Sequence, residues 1–242
     1  MRDKPVLLLV PGLMCDATSW GAVPSGLPEF DCRVIDHGQA DSLVQMAEQL
    51  LAQAPARFAL AGHSMGGRVA LEVMRIAPER VTHLGLFDTG HLPKPEGEAG
   101  DEEVRKRMAL LEIARSQGVR AMASEWVKGM VAPQRLNDHA LIGSILEMFE
   151  RKSADIFERQ LRALIQRPDA TAVLEQVQVP TLVLCGELDA WSPPAQHQAM
   201  ADCIPARPAI VSVPDGGHMV MQEQPQAVIQ AMRQCLGLEH SC

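Results

Sequence analysis

The sequence predicts an α/β protein with a mostly parallel, six-stranded sheet that is flanked by helices and interrupted by an all-helical insertion. Short apolar runs alternate with segments of helical periodicity along most of the 242 residues. Nearly continuous apolar runs are typical of strands covered on both faces, as in parallel sheets. From about residue 91 to residue 169 the helical pattern continues without a strand. We therefore expect a core formed by residues 1–90 and 170–242, and a helical cap formed by residues 91–169.

Six apolar runs are predicted to be the strands, and amphipathic segments between them are predicted to be the covering helices. The strands, in chain order, are Val6–Val10, Cys32–Ile35, Phe58–Ala61, Val81–Phe87, Thr181–Cys185 and Ala209–Val213. The helices are Ser42–Ala54, Met65–Ile76, Ala195–Ala201 and Gln226–Leu236. The last helix follows Pro225, and a proline suits the first turn of a helix.

The insertion opens with a segment rich in Pro, Gly and Glu, residues 92–101, for which we expect a solvated linker. Val104, Met108 and Leu111 then recur at helical spacing, and Gly118 is the expected end of that helix. A second apolar stripe consists of Ile142, Ile145, Leu146 and Phe149. Such stripes usually form the packed interior of a helical layer.

Composition and charge argue against several classes of partner. The net charge is −8, which disfavours binding to nucleic acid or to an anionic membrane surface. Aromatic residues make up only 3% of the chain, so stacking platforms for bases are scarce. No apolar stretch approaches the roughly 20 residues that span a bilayer. Six scattered cysteines without metal-ligand spacing, and no recognisable signal peptide, indicate a reduced, cytoplasmic protein.

The most informative motif is Gly62-His63-Ser64-Met65-Gly66-Gly67, which lies between a predicted strand and a predicted helix. Gly-x-Ser-x-Gly in this context is typical of a nucleophile elbow, a sharp turn that holds a serine in a strained conformation. Glycines two positions to either side leave room for the turn. Strain of this kind costs about 1–3 kcal/mol and tends to occur at functional sites. Ser64 is therefore the candidate nucleophile.

A serine hydroxyl needs a base to take its proton, and the base needs an acid to hold its tautomer. After a nucleophile elbow, the acid and then the histidine follow along the chain. Asp189 lies four residues beyond the strand that ends at Cys185, and His218 lies five residues beyond Val213. Parallel sheets bind ligands at the carboxyl ends of their strands, where both residues lie. We expect Asp189 to be the acid and His218 the base.

Other residues are rivals for these roles. Asp88 also follows a predicted strand and is the alternative acid. His63 is interpreted as part of the pocket wall, since adjacent residues in a tight turn point in different directions. Cys15 is a rival nucleophile, but its surroundings do not resemble an activated thiol site. Three further histidines are interpreted as surface residues: His91, His197 and His240.

Acyl transfer also needs backbone donors for the developing oxyanion, each worth about 3 kcal/mol. One donor is expected from the amide of Met65, directly after the nucleophile. The second is expected from Leu13 in the loop after the first strand, where Gly12 lets the backbone turn its amide inward.

These motifs together resemble the α/β-hydrolase fold family. The resemblance covers about residues 6–236 and rests on Pro11-Gly12-Leu13, the serine motif, Gly186-Glu187-Leu188-Asp189 and Gly217-His218. It implies a Ser64–His218–Asp189 triad, an oxyanion hole formed by Leu13 and Met65, and a helical cap.

The chain departs from the family pattern in three places. Several members carry His-Gly where this chain has Pro11-Gly12. Members often carry Asp-x-x-Gly-x-Gly-x-Ser where this chain has Asp36-His37-Gly38-Gln39-Ala40-Asp41-Ser42. The two leading strands of the family are missing, so we expect six strands and no antiparallel edge.

The first functional hypothesis is a serine hydrolase that cleaves a small carboxylic ester, or a related acyl compound, through an acyl-enzyme. Such a reaction requires no metal and no cofactor. The expected partner is a small-molecule substrate with an apolar acyl group, because flexible apolar side chains are plentiful in the cap. They are Met108, Met122, Met130, Met148, Leu146 and Trp126, most of which we expect to pack between helices.

Two other classes of function stay open. This fold also hosts lyases, carbon–carbon bond hydrolases and acyltransferases, so fold alone does not name the reaction. One lyase of the family shares Gly-Gly-Arg after its nucleophile, here Gly66-Gly67-Arg68, so Arg68 is a candidate ligand for a substrate carboxylate. A solvated or salt-bridged Arg68 is the simpler interpretation. A non-catalytic ligand receptor is the third hypothesis, and the intact Ser, Asp and His set argues against it.

Overall fold

The computed structural model describes residues 4–238 and shows an all-parallel sheet of six strands. The strands are β1 Val6–Val10, β2 Asp31–Val34, β3 Phe58–His63, β4 Val81–Phe87, β5 Thr181–Gly186 and β6 Val211–Val213. They lie in the order β2-β1-β3-β4-β5-β6, and each neighbouring pair is parallel. The predicted six-stranded sheet without an antiparallel edge is thus confirmed. Strand β6 is shorter than predicted, because β5 pairs with it only from Val211 onward.

Helices fill the connections between the strands. They are α1 Leu43–Gln53, α2 Met65–Ile76, α3 Gly97–Gln117, α4 Val119–Trp126, α5 His139–Glu150, α6 Ala154–Ile165, α7 Thr171–Leu174, α8 Pro194–Cys203, α9 Val220–Glu223 and α10 Pro225–Cys235. Ser42 caps α1 by accepting a hydrogen bond from the amide of Gln45. None of the helices in residues 4–238 combines the length and apolar character of a bilayer-spanning segment.

Alternate side chains of each strand point to opposite faces of the sheet, and each face has its own apolar cluster. Leu8 and Leu60 pack on the face covered by α1, α2 and α8. Leu9 and Phe87 pack on the other face, which α10 and residues 17–27 cover. There the ring of Trp20 contacts Phe87 edge-on, with the centroids 5.6 Å apart. Coverage on both faces explains why the strand sequences are nearly continuous apolar runs.

The sheet has a switch point at β1, which lies between β2 and β3. The chain leaves β1 toward one edge of the sheet and then crosses back to continue toward the other edge. Connections that diverge in this way open a crevice at the carboxyl ends of the strands. The loop after β1 and the turn after β3 therefore border the same crevice.

Helices α3 to α6, here called the cap helices, lie between β4 and β5. The ring of Trp126 packs against Phe149 and Phe157, with centroids 5.5 and 5.6 Å apart. The predicted interior stripe is buried there, apart from half-buried Ile142. The exact division of the chain at residues 91 and 169 stays a prediction.

The expected linker at residues 92–101 is only partly correct. Residues 92–96 form no helix and are mostly exposed, but residues 97–101 form the first turn of α3. Gly100 is buried, and a Cβ there would lie 1.9 Å from the carbonyl oxygen of Pro95. This close packing stabilises a helix start that local composition disfavours. The other end of α3 is at Gly118, as predicted, where φ is +93°.

Candidate active site

Ser64 lies at the sharp turn between β3 and α2. Its φ of 53° and ψ of −117° are a strained conformation for a residue with a side chain. A Cβ on Gly62 would lie 2.2 Å from the carbonyl oxygen of Gly66, and a Cβ on Gly66 would lie 2.1 Å from that of Val10. Both glycines are therefore required by close backbone packing. The amide of Ser64 donates to the carbonyl of Phe87, which anchors the turn to the neighbouring strand.

Ser64, His218 and Asp189 form one hydrogen-bonded series. Ser64 Oγ lies 2.9 Å from His218 Nε2, and His218 Nδ1 lies 2.8 Å from Asp189 Oδ2. The other carboxylate oxygen accepts from the amides of Trp191 at 2.8 Å and Ser192 at 3.0 Å. Asp189 can thus hold Nδ1 protonated, which leaves Nε2 free to accept the serine proton. The structure brings together all three residues that the sequence predicted.

Three hydrogen-bond partners keep Asp189 ionised. Burial alone would raise its pKa. The charge and hydrogen bond of His218, and the amides of Ser192 and Trp191, together lower that pKa to about 2. Asp189 is therefore a carboxylate over the whole neutral range.

The loops that carry Asp189 and His218 pack backbone to backbone. A Cβ on Gly186 would lie 2.2 Å from the carbonyl oxygen of Gly217 and 2.4 Å from that of Gly216. The glycines near both candidate residues thus allow the backbones of the two loops to approach closely. Because these loops follow β5 and β6, which are neighbours in the sheet, the acid and the histidine reach the same edge.

Glu223 supports the histidine loop and was missed by the sequence analysis. It is buried, and its Oε1 accepts from the amides of Gly217 and Met219, the two neighbours of His218, at 3.0 and 3.2 Å. Its Oε2 accepts from the amide of Ala132 at 2.8 Å. Burial raises the pKa of Glu223, although these amides oppose the shift. No linear motif marks this residue, because its partners are defined only by the fold.

Asp88, the rival acid, does not bond to His218. Its Oδ1 accepts from the amide of Gly186 at 2.8 Å, and its side chain is fully buried. Burial and the nearby Asp189 carboxylate raise the pKa of Asp88 well above its ordinary value. Asp88 therefore anchors the end of β5 through the amide of Gly186 and does not hold the ring of His218.

The rival histidines have other partners. His63 Nε2 donates to the backbone carbonyl of His218 at 2.7 Å, so its ring supports the histidine loop as well as lining the pocket. His197 is fully buried rather than exposed, and its Nε2 accepts from the amide of Thr89 at 3.1 Å. His91 is also buried, so the surface interpretation of both residues is wrong. His240 lies outside the described residues.

Cys15 is not an activated thiol. Burial, and then the adjacent carboxylate of Asp16, raise the pKa of Cys15 to about 12. A thiol nucleophile requires the opposite shift, toward the thiolate.

The loop after β1 lies directly against the serine. A Cβ on Gly12 would lie 3.2 Å from the Cβ of Ser64. Neither the amide of Leu13 nor that of Met65 donates a hydrogen bond to another residue within 4–238, so both are available to a ligand. The oxyanion role of these two amides stays a prediction.

Two buried side chains fix this loop. Gln160 of α6 accepts from the amide of Met14 through Oε1 at 2.7 Å. His37 donates from Nε2 to the carbonyl of Pro11 at 2.9 Å. The segment that departs from the family pattern around His37 therefore supports the loop beside Ser64.

A cavity of about 600 Å³ opens beside Ser64 and His218. Its apolar lining includes Leu110, Trp126, Met130, Phe157, Leu161 and Leu164. Of the six cap residues expected to suit a pocket, only Trp126 and Met130 line this cavity. Met122 and Met148 are buried elsewhere in the cap, and Met108 is exposed. Within the part of the chain that the structure describes, no cluster of three or more His, Cys, Asp or Glu side chains could hold a metal ion.

Arg68 also lines the cavity and differs from its simpler interpretation. It forms no ion pair with a carboxylate of the described residues, and its guanidinium donates to the carbonyl of Leu92 at 2.9 Å. It is partly buried rather than fully solvated.

Comparisons with family models, sequences and solved structures all identify the same family of proteins. The model of the Alpha/beta hydrolase family matches residues 7–231. A pimeloyl-[acyl-carrier protein] methyl ester esterase of Nitrosomonas europaea is 26% identical over 243 residues, which cover 94% of this chain and 94% of that protein. A malate-bound thermophilic esterase from Thermogutta terrifontis matches with a TM-score of 0.83 and 30% identity, over 99% of this chain and 92% of that chain. The enol-lactonase from Burkholderia xenovorans LB400 shares the fold, with a TM-score of 0.84 and 20% identity over 98% and 94% of the two chains.

The family match includes Ser64, Asp189 and His218 and extends over most of the 242 residues. The Thermogutta terrifontis esterase agrees with this chain in sequence as well as in fold. These findings confirm the resemblance inferred from the motifs. The chain belongs to the alpha/beta hydrolase family.

Proposed function

We propose that this protein is a serine hydrolase that cleaves a small carboxylic ester, or a related acyl compound, through an acyl-enzyme. The observation that carries the proposal is the hydrogen-bonded series from Ser64 through His218 to Asp189 beside a cavity. A serine, a histidine and a carboxylate in this order activate a hydroxyl for attack on a carbonyl carbon. Two of the proteins compared above are named as esterases, which supports the same class of reaction.

His218 is the proposed base and then the acid. Its Nε2 takes the proton of Ser64 as Oγ attacks the acyl carbon, and it returns that proton to the departing alcohol. Asp189 stabilises the imidazolium throughout, because its low pKa keeps it ionised. Water then attacks the acyl-enzyme with His218 again as the base, which releases the carboxylic acid and restores Ser64.

The amides of Leu13 and Met65 are the proposed donors to the oxyanion. Two such donors would contribute about 3 kcal/mol each to transition-state stabilisation. Gln160 and His37 hold the loop that carries Leu13 in place, so the position of this donor is set before substrate binds.

The cavity supports a small substrate with an apolar portion. Its volume of about 600 Å³ lies within the range of ordinary small-molecule sites. The ring of Trp191 contacts His218 edge-on with centroids 4.8 Å apart and stacks on Trp126 at 5.4 Å. These rings would pack against the apolar portion of the substrate and limit access of water to the imidazole.

The proposal is tested with 4-nitrophenyl esters of increasing acyl length. Wild-type protein should release nitrophenol in a burst that is stoichiometric with enzyme, followed by slower turnover. Ser64→Ala should lower kcat by about 10³-fold or more, because the nucleophile is removed. The matched control is Ser116→Ala, which removes an exposed hydroxyl on α3 and should retain full activity. Equal rates in wild-type protein and Ser64→Ala would overturn the proposal.

Further measurements with the same esters distinguish the other hypotheses. Hydrolysis in ¹⁸O-labelled water places one labelled oxygen in the released acid, whereas acyl transfer to an added alcohol does not. A receptor would bind the esters without releasing nitrophenol. No contact in the described residues favours a lyase or a carbon–carbon bond hydrolase over the ester hydrolase.

A further inference from the structure

The strained turn at Ser64 is bonded on both sides to the end of β4. The amide of Ser64 donates to the carbonyl of Phe87 at 2.9 Å, and the carbonyl of Ser64 accepts from the hydroxyl of Thr89 at 2.7 Å. The same carbonyl accepts from the amide of Gly67 at 3.0 Å, where α2 begins. A strained residue keeps its conformation only where its surroundings fix it, and Phe87 and Thr89 supply such contacts to both polar backbone groups of Ser64.

A second strained residue, Asp88, lies between these two partners of the serine. Its φ is 45°, in the left-handed region that residues with a side chain rarely adopt. The amide of Asp88 donates to the carbonyl of Leu184, and its Oδ1 accepts from the amide of Gly186 at 2.8 Å, so β5 holds this turn. The conformation of Asp88 therefore sets where the hydroxyl of Thr89 lies.

Thr89 is buried, and each of its polar groups has a partner. Its amide donates to His197 Nε2 at 3.1 Å, and its carbonyl accepts from Gln196 Nε2 at 3.1 Å. His197 Nδ1 donates to the carbonyl of Pro193 at 3.2 Å, which leaves Nε2 unprotonated and able to accept. Both side chains belong to α8, which begins directly after the loop of the candidate acid. Thr89 thus links the serine turn to the acid loop by a path that does not include the candidate base.

The packing of Thr89 explains the second glycine of the Gly66-Gly67 pair. The Gly-x-Ser-x-Gly pattern of a nucleophile elbow ends at Gly66. A Cβ on Gly67 would lie 2.6 Å from Thr89 Cγ2 and 2.7 Å from Thr89 Oγ1. A larger residue at this position would push the threonine away from the carbonyl of Ser64. The motif therefore leaves space for Thr89 as well as for the serine turn.

We propose that Thr89 is a positioning residue for Ser64: its hydroxyl holds the serine turn, and His197 and Gln196 hold Thr89, so that Ser64 Oγ stays within reach of His218. This inference rests on the proposed ester hydrolysis and adds a residue to it. Because Thr89 bonds to the backbone of Ser64, it acts on the position of the nucleophile and not on the reacting bond. Displacement of a reacting group by about 1 Å costs roughly 100-fold in rate, so a small shift of the turn is measurable.

The test compares two substitutions that remove different parts of the threonine. Thr89→Val keeps the shape and removes the hydroxyl, whereas Thr89→Ser keeps the hydroxyl and removes the methyl group that packs on Gly67. With 4-nitrophenyl butyrate, Thr89→Val should lower kcat about tenfold or more and change KM less than about threefold, because the nucleophile is displaced while the cavity is retained. Thr89→Ser should keep kcat within about threefold of wild-type protein. A role in packing alone predicts the opposite order of the two variants, and that order would overturn the inference.

The rate at which a fluorophosphonate labels Ser64 is a second readout. It should fall in Thr89→Val by a factor similar to the fall in kcat, since the reagent is attacked by the same oxygen. If Thr89→Val does not fold, Thr89→Ala is compared with Thr89→Ser, because these variants differ only in the hydroxyl. Equal kcat and equal labelling rates with and without the hydroxyl would overturn the inference and leave the ester hydrolase intact. Failure of the proposed function gives a different result, since wild-type protein would then release no nitrophenol in a Ser64-dependent way.

Thr181→Val is the matched control. Thr181 begins β5, where its hydroxyl donates to the carbonyl of Val179 at 2.9 Å, and it does not line the cavity. The variant removes the same kind of hydrogen bond far from Ser64, so it should keep wild-type kcat even where urea denaturation shows reduced stability. An equal fall in kcat in Thr181→Val and Thr89→Val would show that the effect follows stability, which contradicts positioning.

His197→Phe tests how Thr89 is held. It keeps an aromatic ring and removes the acceptor of the Thr89 amide, so kcat should fall in this variant as well. In Thr89→Val/His197→Phe, kcat should fall by less than the product of the two single factors, because both substitutions act through one bond to Ser64. A fall equal to that product would contradict the link from His197 through Thr89 to the nucleophile.

Discussion

The carboxyl edge of the sheet and the cap helices both border the cavity, but they are held by different interactions. At the sheet edge, backbone packs on backbone, as where Gly66 meets Val10 and Gly186 meets Gly217. In the cap, contacts are between side chains, as where Trp126 packs on Phe149. Backbone contacts at the sheet edge leave no space for a larger side chain. Side chains in the cap can be exchanged for others and repacked. The edge is therefore suited to conserving a reaction, and the cap to setting which substrate undergoes it.

Among the polar bonds that join the two regions, three are donated by backbone amides. Gln160 of the cap accepts from the amide of Met14, and Glu223 of the core accepts from the amide of Ala132. The amide of Met219 donates to the carbonyl of Met130. Each bond links the cap to the loop of Leu13 or to the loop of His218. We therefore expect a substitution that breaks one of these bonds to alter both the cap and the candidate active site.

The largest effect is expected from Gly66→Ala. Its Cβ would lie 2.1 Å from the carbonyl oxygen of Val10, which forces the serine turn away from β1. Displacement of a catalytic group by about 1 Å costs roughly 100-fold in rate, so kcat/KM should fall by at least about that factor. Gly143→Ala in α5 is the control, because a Cβ there meets nothing within 4 Å. That variant should be stabilised by about 0.5–1 kcal/mol and remain active.

Glu223→Gln is expected to have the second largest effect. The amide nitrogen of Gln cannot accept, so at least one buried backbone N–H loses its partner. The free energy of unfolding should fall by about 1–3 kcal/mol in urea denaturation, and kcat should fall because the His218 loop loses its anchor. Glu125→Gln changes an exposed carboxylate paired with Lys128 and should shift the unfolding free energy by less than about 1 kcal/mol. Equal stability of the two variants would argue against the anchoring role.

Gln160→Leu tests the bond from the cap to the loop of Leu13. The amide of Met14 would be left without its partner, which should cost about 1–3 kcal/mol. If the loop supplies an oxyanion donor, kcat should fall more than KM rises, because the lost interaction belongs to the transition state. Gln117→Leu at the exposed end of α3 is the control. An increase in KM alone would show that Gln160 acts on substrate binding instead.

The smallest effect is expected from His63→Gln, and it should depend on pH. Burial, and then the charge of His218, lower the pKa of His63 to about 3 in the folded protein, against about 6.5 in the unfolded chain. Below pH 6.5 the unfolded state binds more protons, so wild-type stability should fall as pH falls from about 6.5 toward 3. His63→Gln has no imidazole to titrate at this position. As pH falls, the unfolding free energy of wild-type protein should therefore decrease more than that of the variant. Parallel curves between pH 7.5 and 5 would show that the ring is not held neutral.

The sequence predicts the sheet edge far better than the cap, for a physical reason. The serine turn, the strand ends and the glycine pair at Gly216-Gly217 are local features, since each meets a steric demand of nearby backbone. The pairing of Glu223 with Ala132, separated by 91 residues, leaves no local pattern. The start of α3 was missed for a different reason, because close packing of Gly100 against the carbonyl of Pro95 outweighs a composition typical of a linker.

The arginines that line the cavity, Arg68, Arg107 and Arg167, show the same limit. The sequence identified Arg68 as a candidate, but a single chain cannot show which of several arginines lacks a carboxylate. The shared use of Glu103 by Arg107 and Arg167 depends on how α3 and the segment after α6 pack. Apolar periodicity predicted the helices of the cap, but it did not identify which side chains face the cavity.

The most direct test of the central claim is covalent labelling of Ser64 by a fluorophosphonate, followed by mass spectrometry of the intact protein and its peptides. The account predicts one phosphonyl group per wild-type chain, located on Ser64, and none on Ser64→Ala. His218→Ala should react far more slowly, because the hydroxyl then has no base to take its proton. An unlabelled wild-type protein, or an adduct on any other residue, would contradict the account.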